Sequence, residues 1–393
     1  MRKQTRKKKN NLMLIVIPVI LCIIALALFQ MLNKKDDQNI PLPSETATIT
    51  PTESPAVPEE TVEPDPSEAP ENSEADEKDK LIIRTDYEAF KPNESGDIPV
   101  IMFHRFIEAY EPDTDKEFTT TFEEFEALLQ TLYDEGYRLI SMKDFIDCNI
   151  SVPAGTKPMV FTFDDGTPGQ FNLIEENGEL KVNPKSAVGV MMKFNEKHPD
   201  FGLKGIFYIN MDIGDNTFKG AGTLRQRFEQ LQALGFELGS HTWGHVKFPE
   251  LKSVAQIEES LGKNQEKAEE VLPGLKFYSL ALPHGLRPSD KSLWPAIVKG
   301  SYNGTEYHHQ TVMAVGANPS KPSISKEYNG EYVARIRAQG RVPVECDLTW
   351  WLPKMTDERM FISDGDPNTI VVPEKHSGKI DTAKLNGKNL ITY

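Results

Sequence analysis

Cysteine is nearly missing from this 393-residue chain: Cys22, Cys148 and Cys346 are all it has. Three scattered thiols cannot form a disulfide framework or a paired-cysteine zinc site. One bridge, between Cys148 and Cys346, stays open. Positive charge is also short. Against 44 Lys and Arg stand 59 Asp and Glu, a net charge of -15, and this leaves no basic face to neutralise phosphates, so a nucleic-acid partner is excluded. No repeat of fixed period occurs, which excludes the repeat architectures.

What charge there is lies unevenly. The first ten residues, "MRKQTRKKKN", are basic and precede an apolar run from Leu12 to Phe29. About twenty apolar residues cross a bilayer as a helix, and basic residues ahead of such a run stay in the cytoplasm. Residues 1–32 are therefore expected to be a cytoplasmic tail and signal anchor, with the rest of the chain extracellular. Ala25-Leu26-Ala27 has the small-x-small spacing of a processing site. Leu28 and Phe29 continue the apolar run past it, however, and favour an uncleaved anchor. Cys22 follows Leu21 rather than a small residue, which speaks against lipid attachment there. Residues 33–80 are rich in Pro, Ser, Thr and acidic side chains without apolar periodicity, the composition of a disordered linker. At about 3.1 Å per residue it would reach on the order of 150 Å.

From residue 81 to 393 short apolar runs alternate with helical patterns. The runs are "PVIMFH", "YRLISM", "MVFTFDD", "KGIFYIN", "GFELGSH", "FYSLALPHG", "TVMAVGA" and "TIVVPE". Between them, Phe122, Phe125, Leu128, Leu129 and Leu132 follow helical spacing behind a Thr121/Glu124 capping box. A second helix starts at Ser253 and runs toward Glu270, and a third is expected over Tyr328 to Gln339. Strands alternating with helices predict an α/β fold with a parallel sheet, open or closed into a barrel. Chemistry on such folds collects at the C-terminal strand ends.

Four runs end in reactive side chains: His104, the Asp164–Asp165 pair, His241 with His245, and His284. Adjacent carboxylates repel and raise one another's pKa unless a cation or donor separates them. Alone, Asp164 and Asp165 would read as a solvated turn before Gly166. With His241 and His245 they suit a three-ligand metal site that keeps an open position, while the second carboxylate serves as general base. His198, His308, His309 and His376 read as surface or loop residues. Trp350 and Trp351 read as core, with a sugar platform as the alternative, and Ser363 to Pro367 as a turn. "FDDGT" resembles the Asp-x-Asp-Gly-Thr signature of haloacid-dehalogenase phosphatases, but Phe163 stands where their nucleophilic aspartate must be.

"TFDDG" followed by "SHTWGH" resembles the NodB-homology polysaccharide deacetylases, most closely over Pro99 to Phe277. That resemblance implies a distorted parallel (β/α) barrel and removal of acetyl groups from an N-acetylated glycan of the cell surface, peptidoglycan or exopolysaccharide. It makes Asp164 the base and Asp165, His241 and His245 ligands of a divalent metal, zinc by preference. It places Thr167, Pro283 and His284 at substrate-binding or oxyanion positions, the last through its backbone N–H. Where the family has Arg-Pro-Pro-Tyr-Gly this chain has "ALPHG": Ala281 replaces the arginine that orients the base, and the late Leu-x-His is missing. The early strand ending in His104 is similar to the layout of circularly permuted poly-N-acetylglucosamine deacetylases, and there His104 would be the general acid. A buried structural histidine is the alternative. The departures also admit a decayed, metal-containing glycan-binding protein, to be distinguished by whether another arginine, such as Arg105 or Arg287, stands beside Asp164.

Overall fold

Strand-forming runs find one another according to their apolar content. The computed structural model describes residues 82–338 and 344–393; the expected anchor and linker, residues 1–80, lie outside the described residues. Among the described residues no helix is long and apolar enough to cross a membrane. Seven of the eight runs form strands of one parallel sheet: β1 (Val100–Phe103), β2 (Tyr137–Leu139), β3 (Lys157–Asp164), β4 (Ile206–Ile209), β5 (Glu237–Ser240), β6 (Ser279–Ala281) and β7 (Thr311–Met313). The order is β7-β6-β5-β4-β3-β1, with β2 pairing to the first residues of β3. Helices lie between consecutive strands, as parallel pairing requires. They include α1 (Phe122–Asp134), α2 (Ala187–Lys197), α3 (Leu224–Ala233) and α4 (Val254–Val271). The capping box at Thr121 and Glu124 opens α1, and Phe125, Leu129 and Leu132 are its buried face.

The eighth strand was not where the sequence put it. Tyr328 to Gln339, expected as a helix, contains instead a short strand, β8 (Ile336–Arg337), paired with Ile101 and Met102 of β1. Three residues earlier Val333 bridges Met313 of β7 in parallel, exchanging hydrogen bonds with Val312 and Ala314. One segment thus ties together the two edges of a curled half-barrel, giving the distorted barrel form. Helical spacing lost here because both sheet edges offer unpaired backbone groups, and satisfying them outweighs a weak local preference. The run "TIVVPE" does form a strand, β9 (Thr369–Val372), but it pairs with β10 (Asn389–Thr392) in a separate two-stranded sheet.

Side-chain alternation divides β3 between two environments. Phe161 and Phe163 face the helices, where Phe163 stacks at 5.4 Å on Phe103 and at 4.6 Å on Phe207. Each such buried ring contributes roughly 1.5–3 kcal/mol. Val160, Thr162 and Asp164 take the opposite face, inside the curl. Trp351 is buried, its indole N–H donating to the Ala317 carbonyl, and Trp350 packs half-buried against the same core. The Ser363–Pro367 turn is held by Glu94 and Thr369, not by any residue of the cavity described below. Cys148 and Cys346 are both free, which closes the disulfide question.

His309, expected at the surface or in a loop, lies in the short loop ahead of β7 and is buried. Its Nδ1–H donates to the Ile297 carbonyl at 2.8 Å, and its ring stacks on Tyr307 at 5.3 Å. Burial pushes the imidazole down to about 4. An unfolded histidine titrates near 6.5. As pH falls through that value the unfolded chain takes up the proton first, so stability present above about pH 6.5 is lost progressively until about pH 4. This one group accounts for roughly 3 kcal/mol of acid destabilisation. In urea unfolding, His309→Gln should lose correspondingly less stability than the wild type between pH 7 and pH 4.5; an identical loss would refute the assignment.

Candidate active site

Asp164 ends β3 on the inner face and is fully buried, so its charge must be met by protein. Arg335 meets it. The guanidinium, itself fully buried, donates from Nη1 to Oδ1 at 2.7 Å and from Nη2 to Oδ2 at 2.8 Å, the bidentate fork geometry. Arg335 Nη1 also reaches Thr162 Oγ1 at 3.1 Å, and its Nε donates to the Ala314 carbonyl at 2.8 Å. Burial alone would raise the Asp164 carboxyl, but Arg335, with His241 and His104 beside it, outweighs burial and holds it below the usual carboxylate range.

Asp165 leaves the strand with φ of 80°, and Gly166 follows at φ of 62°. A Cβ at Gly166 would crowd the Ile209 and Thr217 methyl groups at 3.1 Å, and glycine takes this left-handed turn without that crowding. The reversal swings Asp165 away from Asp164 and toward two imidazoles: Oδ1 lies 3.4 Å from His241 Nε2 and 3.7 Å from His245 Nε2. Burial opposes its charge, but the hydrogen bond and charge of His241, then His104 and His245, hold the carboxyl well below its ordinary range.

His241 follows β5 and donates from Nδ1 to the Ala281 carbonyl at 2.9 Å. That bond turns the Nε2 lone pair toward Asp165, the arrangement seen in metal-ligating histidines. Thr242, Gly244 and His245 all adopt positive φ, which folds the chain so that His245 returns to within 4.9 Å of His241, ring centre to ring centre. The Asn210 amide braces the bend by donating to the carbonyls of His241 and Thr242, and Asn264 binds Ser240 Oγ at 3.0 Å. Burial lowers His241, yet Asp164 and Asp165 more than compensate and raise it; His245 is lowered, by burial and then by His241.

Among the described residues Asp165, His241 and His245 are the one group of three or more potential ligands whose donor atoms converge, all within 4.8 Å of one another. Two imidazole nitrogens and one carboxylate oxygen fit a divalent ion with a position left for a small molecule.

His104, just past β1, stands opposite, with Nε2 3.8 Å from Asp164 Oδ2 and its ring edge-on to Phe118 at 4.8 Å. The Gln170 amide and the Thr167 hydroxyl both donate to the His104 backbone carbonyl. Burial lowers His104 despite the two aspartates. Its Nδ1 is buried with no partner among the described residues.

These side chains line a cavity of about 430 Å³ with Arg105, Phe118, Leu282, His284 and Val315. His284 sits 4.9 Å from His245, ring to ring. Thr167 and Pro283 stand behind the wall: the Thr167 hydroxyl is spent on backbone, and Pro283 is buried. A larger groove, about 730 Å³, runs between α4 and the hairpin 299–308, but it holds no ligand cluster. Neither arginine considered from the sequence reaches Asp164. Arg105 pairs with Asp115 at the surface, and Arg287 stacks on Trp294. The arginine that does, Arg335, left only a faint trace in the sequence, the alternation of Arg335 and Arg337 about Ile336.

Residues 151–296 match the family model described as Polysaccharide deacetylase. This segment is a polysaccharide deacetylase domain. It includes Asp164, Asp165, His241, His245 and His284, whereas His104 and Arg335 lie outside the matched residues. No curated protein sequence matches the chain significantly. Similar solved structures include a polysaccharide deacetylase from Bacillus cereus, 20% identical, with a TM-score of 0.48 over 66% of this chain and 69% of that one. The deacetylase PplD from Streptococcus pyogenes, in complex with acetate, is 14% identical, with a TM-score of 0.48 over 66% of this chain and 98% of its own. IcaB from Ammonifex degensii is 17% identical, with a TM-score of 0.45 over 63% and 94% of the two chains.

The Asp164–Arg335 pair yields a stability prediction. Arg335→Ala leaves a buried carboxylate unpaired and should cost about 3–5 kcal/mol in urea unfolding at pH 7. Arg335→Ala combined with Asp164→Asn should recover a large part of that loss. A double variant no more stable than Arg335→Ala would show that the arginine acts through packing rather than charge.

Proposed function

We propose that the deacetylase domain is a metal-dependent hydrolase of N-acetyl groups on an N-acetylglucosamine-containing glycan, with zinc in the Asp165–His241–His245 site. The carrying observation is that this ligand set shares one cavity with a second carboxylate, Asp164, which a buried arginine keeps ionised. A structural metal site has no use for such a neighbour. When bound, the ion would supply a Lewis acid that acidifies water and polarises a carbonyl.

The chain's own groups divide the proton traffic. Asp164, acceptor-only while paired with Arg335, takes a proton from the water that attacks the acetyl carbon. Arg335 fixes both oxygens of that carboxylate. As the C–N bond breaks, its electron pair stays on nitrogen, and His104, as the imidazolium, delivers its Nε2 proton there and is left neutral. Acetate and a free amine leave. The backbone N–H of His284, on the cavity wall, would donate to the carbonyl oxygen as charge builds. Ala281, which replaces the family's orienting arginine, loses its force as a sign of decay, because Arg335 serves Asp164 from the residue just ahead of β8. The proposal also covers location. Leu12 to Phe29 and the basic residues ahead of it support a membrane-tethered, extracellular domain, with peptidoglycan or an exopolysaccharide in reach.

Full-length protein loaded with zinc should release acetate from N-acetylglucosamine oligomers, and a chelator should abolish the release. Asp164→Asn should keep one tightly bound metal per chain while losing roughly 10²–10⁴-fold in kcat. Asp165→Asn should lose the metal itself. His104→Ala should lower kcat and remove the limb of the pH profile that reports a general acid. Bound metal without acetate release from any glycan would instead favour the glycan-binding reading.

A further inference from the structure

Three large apolar side chains remain exposed beside the cavity: Leu286 at 52%, Tyr332 at 39% and Val315 at 38%. They belong to separate stretches of chain that meet at Gly285. Leu286 follows that glycine directly. Val315 lies so close that a Cβ at Gly285 would approach its own Cβ to 2.5 Å. The Tyr332 hydroxyl donates to the Gly285 carbonyl at 3.2 Å. Gly285 in turn follows His284, and both His284 and Val315 line the cavity. The apolar ridge is therefore continuous with the cavity wall.

Arg287 completes the ridge. Its guanidinium lies 4.1 Å from the Tyr332 ring centre and 3.5 Å from that of Trp294, whose indole N–H is anchored on the Pro288 carbonyl at 2.9 Å. It has no ion-pair partner among the described residues. Resting on aromatic faces, it keeps its N–H edge free for oxygen acceptors. A partly exposed tyrosine ring, flanked by aliphatic groups and a planar donor, matches one chemistry well. A pyranose ring offers an apolar C–H face to stack on a ring and hydroxyls at its edge to accept or donate hydrogen bonds.

We propose that Leu286, Arg287, Val315 and Tyr332 form a subsite for the sugar adjacent to the one losing its acetyl group, so that the domain selects oligomeric over monomeric glycan. The proposal rests on the deacetylase reading for the identity of the ligand. The same segment then serves both ends of the site: Arg335 turns inward to the base, and Tyr332, three residues earlier, faces the incoming chain.

The test is binding of N-acetylglucosamine and its oligomers of two to six units to full-length protein carrying Asp164→Asn, followed by tryptophan fluorescence, because Trp294 lies under Arg287. Affinity should rise about tenfold from monomer to dimer. Adding Tyr332→Ala should remove that gain, whereas Tyr332→Phe, which loses the bond to Gly285 but keeps the ring face, should retain it. Equal weakening at every length, equal loss in the Ala and Phe variants, or no binding of any oligomer would overturn the subsite. Acetate release by the wild type is scored separately. Length-dependent binding without release would sink the deacetylase reading and leave the subsite standing, and release without length dependence would do the reverse.

Discussion

A buried carboxylate directly beside a second carboxylate is an unstable arrangement unless something holds the two charges apart, and here the Asp164–Arg335 pair does so. Both members are fully buried, both oxygens of Asp164 are engaged, and the guanidinium is tied to Thr162 and to the Ala314 carbonyl as well. The pair joins β3 to the segment that bridges the two edges of the sheet. The same segment closes the curl and supplies the partner of Asp164, since Arg335 lies between Val333, which bridges β7, and Ile336, which pairs with β1.

Around that pair the backbone departs from regular structure wherever a side chain must be aimed. Asp165, Thr242, His245 and His284 all have positive φ without being glycine, a conformation that costs free energy and persists only when surrounding contacts over-determine it. Those contacts can be named: Asn210 on the carbonyls of His241 and Thr242, Ala281 on His241 Nδ1, and Gln170 on the His104 carbonyl. The phenylalanine layer on the other face of the sheet provides the stability against which that strain is held.

Legibility in the sequence followed the range of the interaction. Helix α1 could be read in advance because its capping box and apolar spacing are local. The four strand-end positions could be read because catalytic residues gather at C-terminal strand ends, and Asp165, His241 and His245 do converge there. By contrast Tyr328 to Gln339 was misread, since its conformation is dictated by two sheet edges that come from distant parts of the chain. His309 lies in a loop, as expected, but its burial was not legible for a similar reason: a polar residue after an exposed neighbour gives no sign that the Ile297 carbonyl awaits it.

What the sequence determined by itself was the inventory: an alternating α/β pattern, two carboxylates and two histidines at strand ends, and a glycine where the chain must reverse. These are set by neighbours within a few residues, through side-chain alternation and backbone sterics. The tertiary structure alone decided which arginine pairs with Asp164. Arg105 and Arg287 looked equal to Arg335 on paper, since each carries the same charge. Only closing the curled sheet removes one of them from water and sets it 2.7 Å from Asp164, and burial, which no local pattern encodes, is what makes that charge decisive.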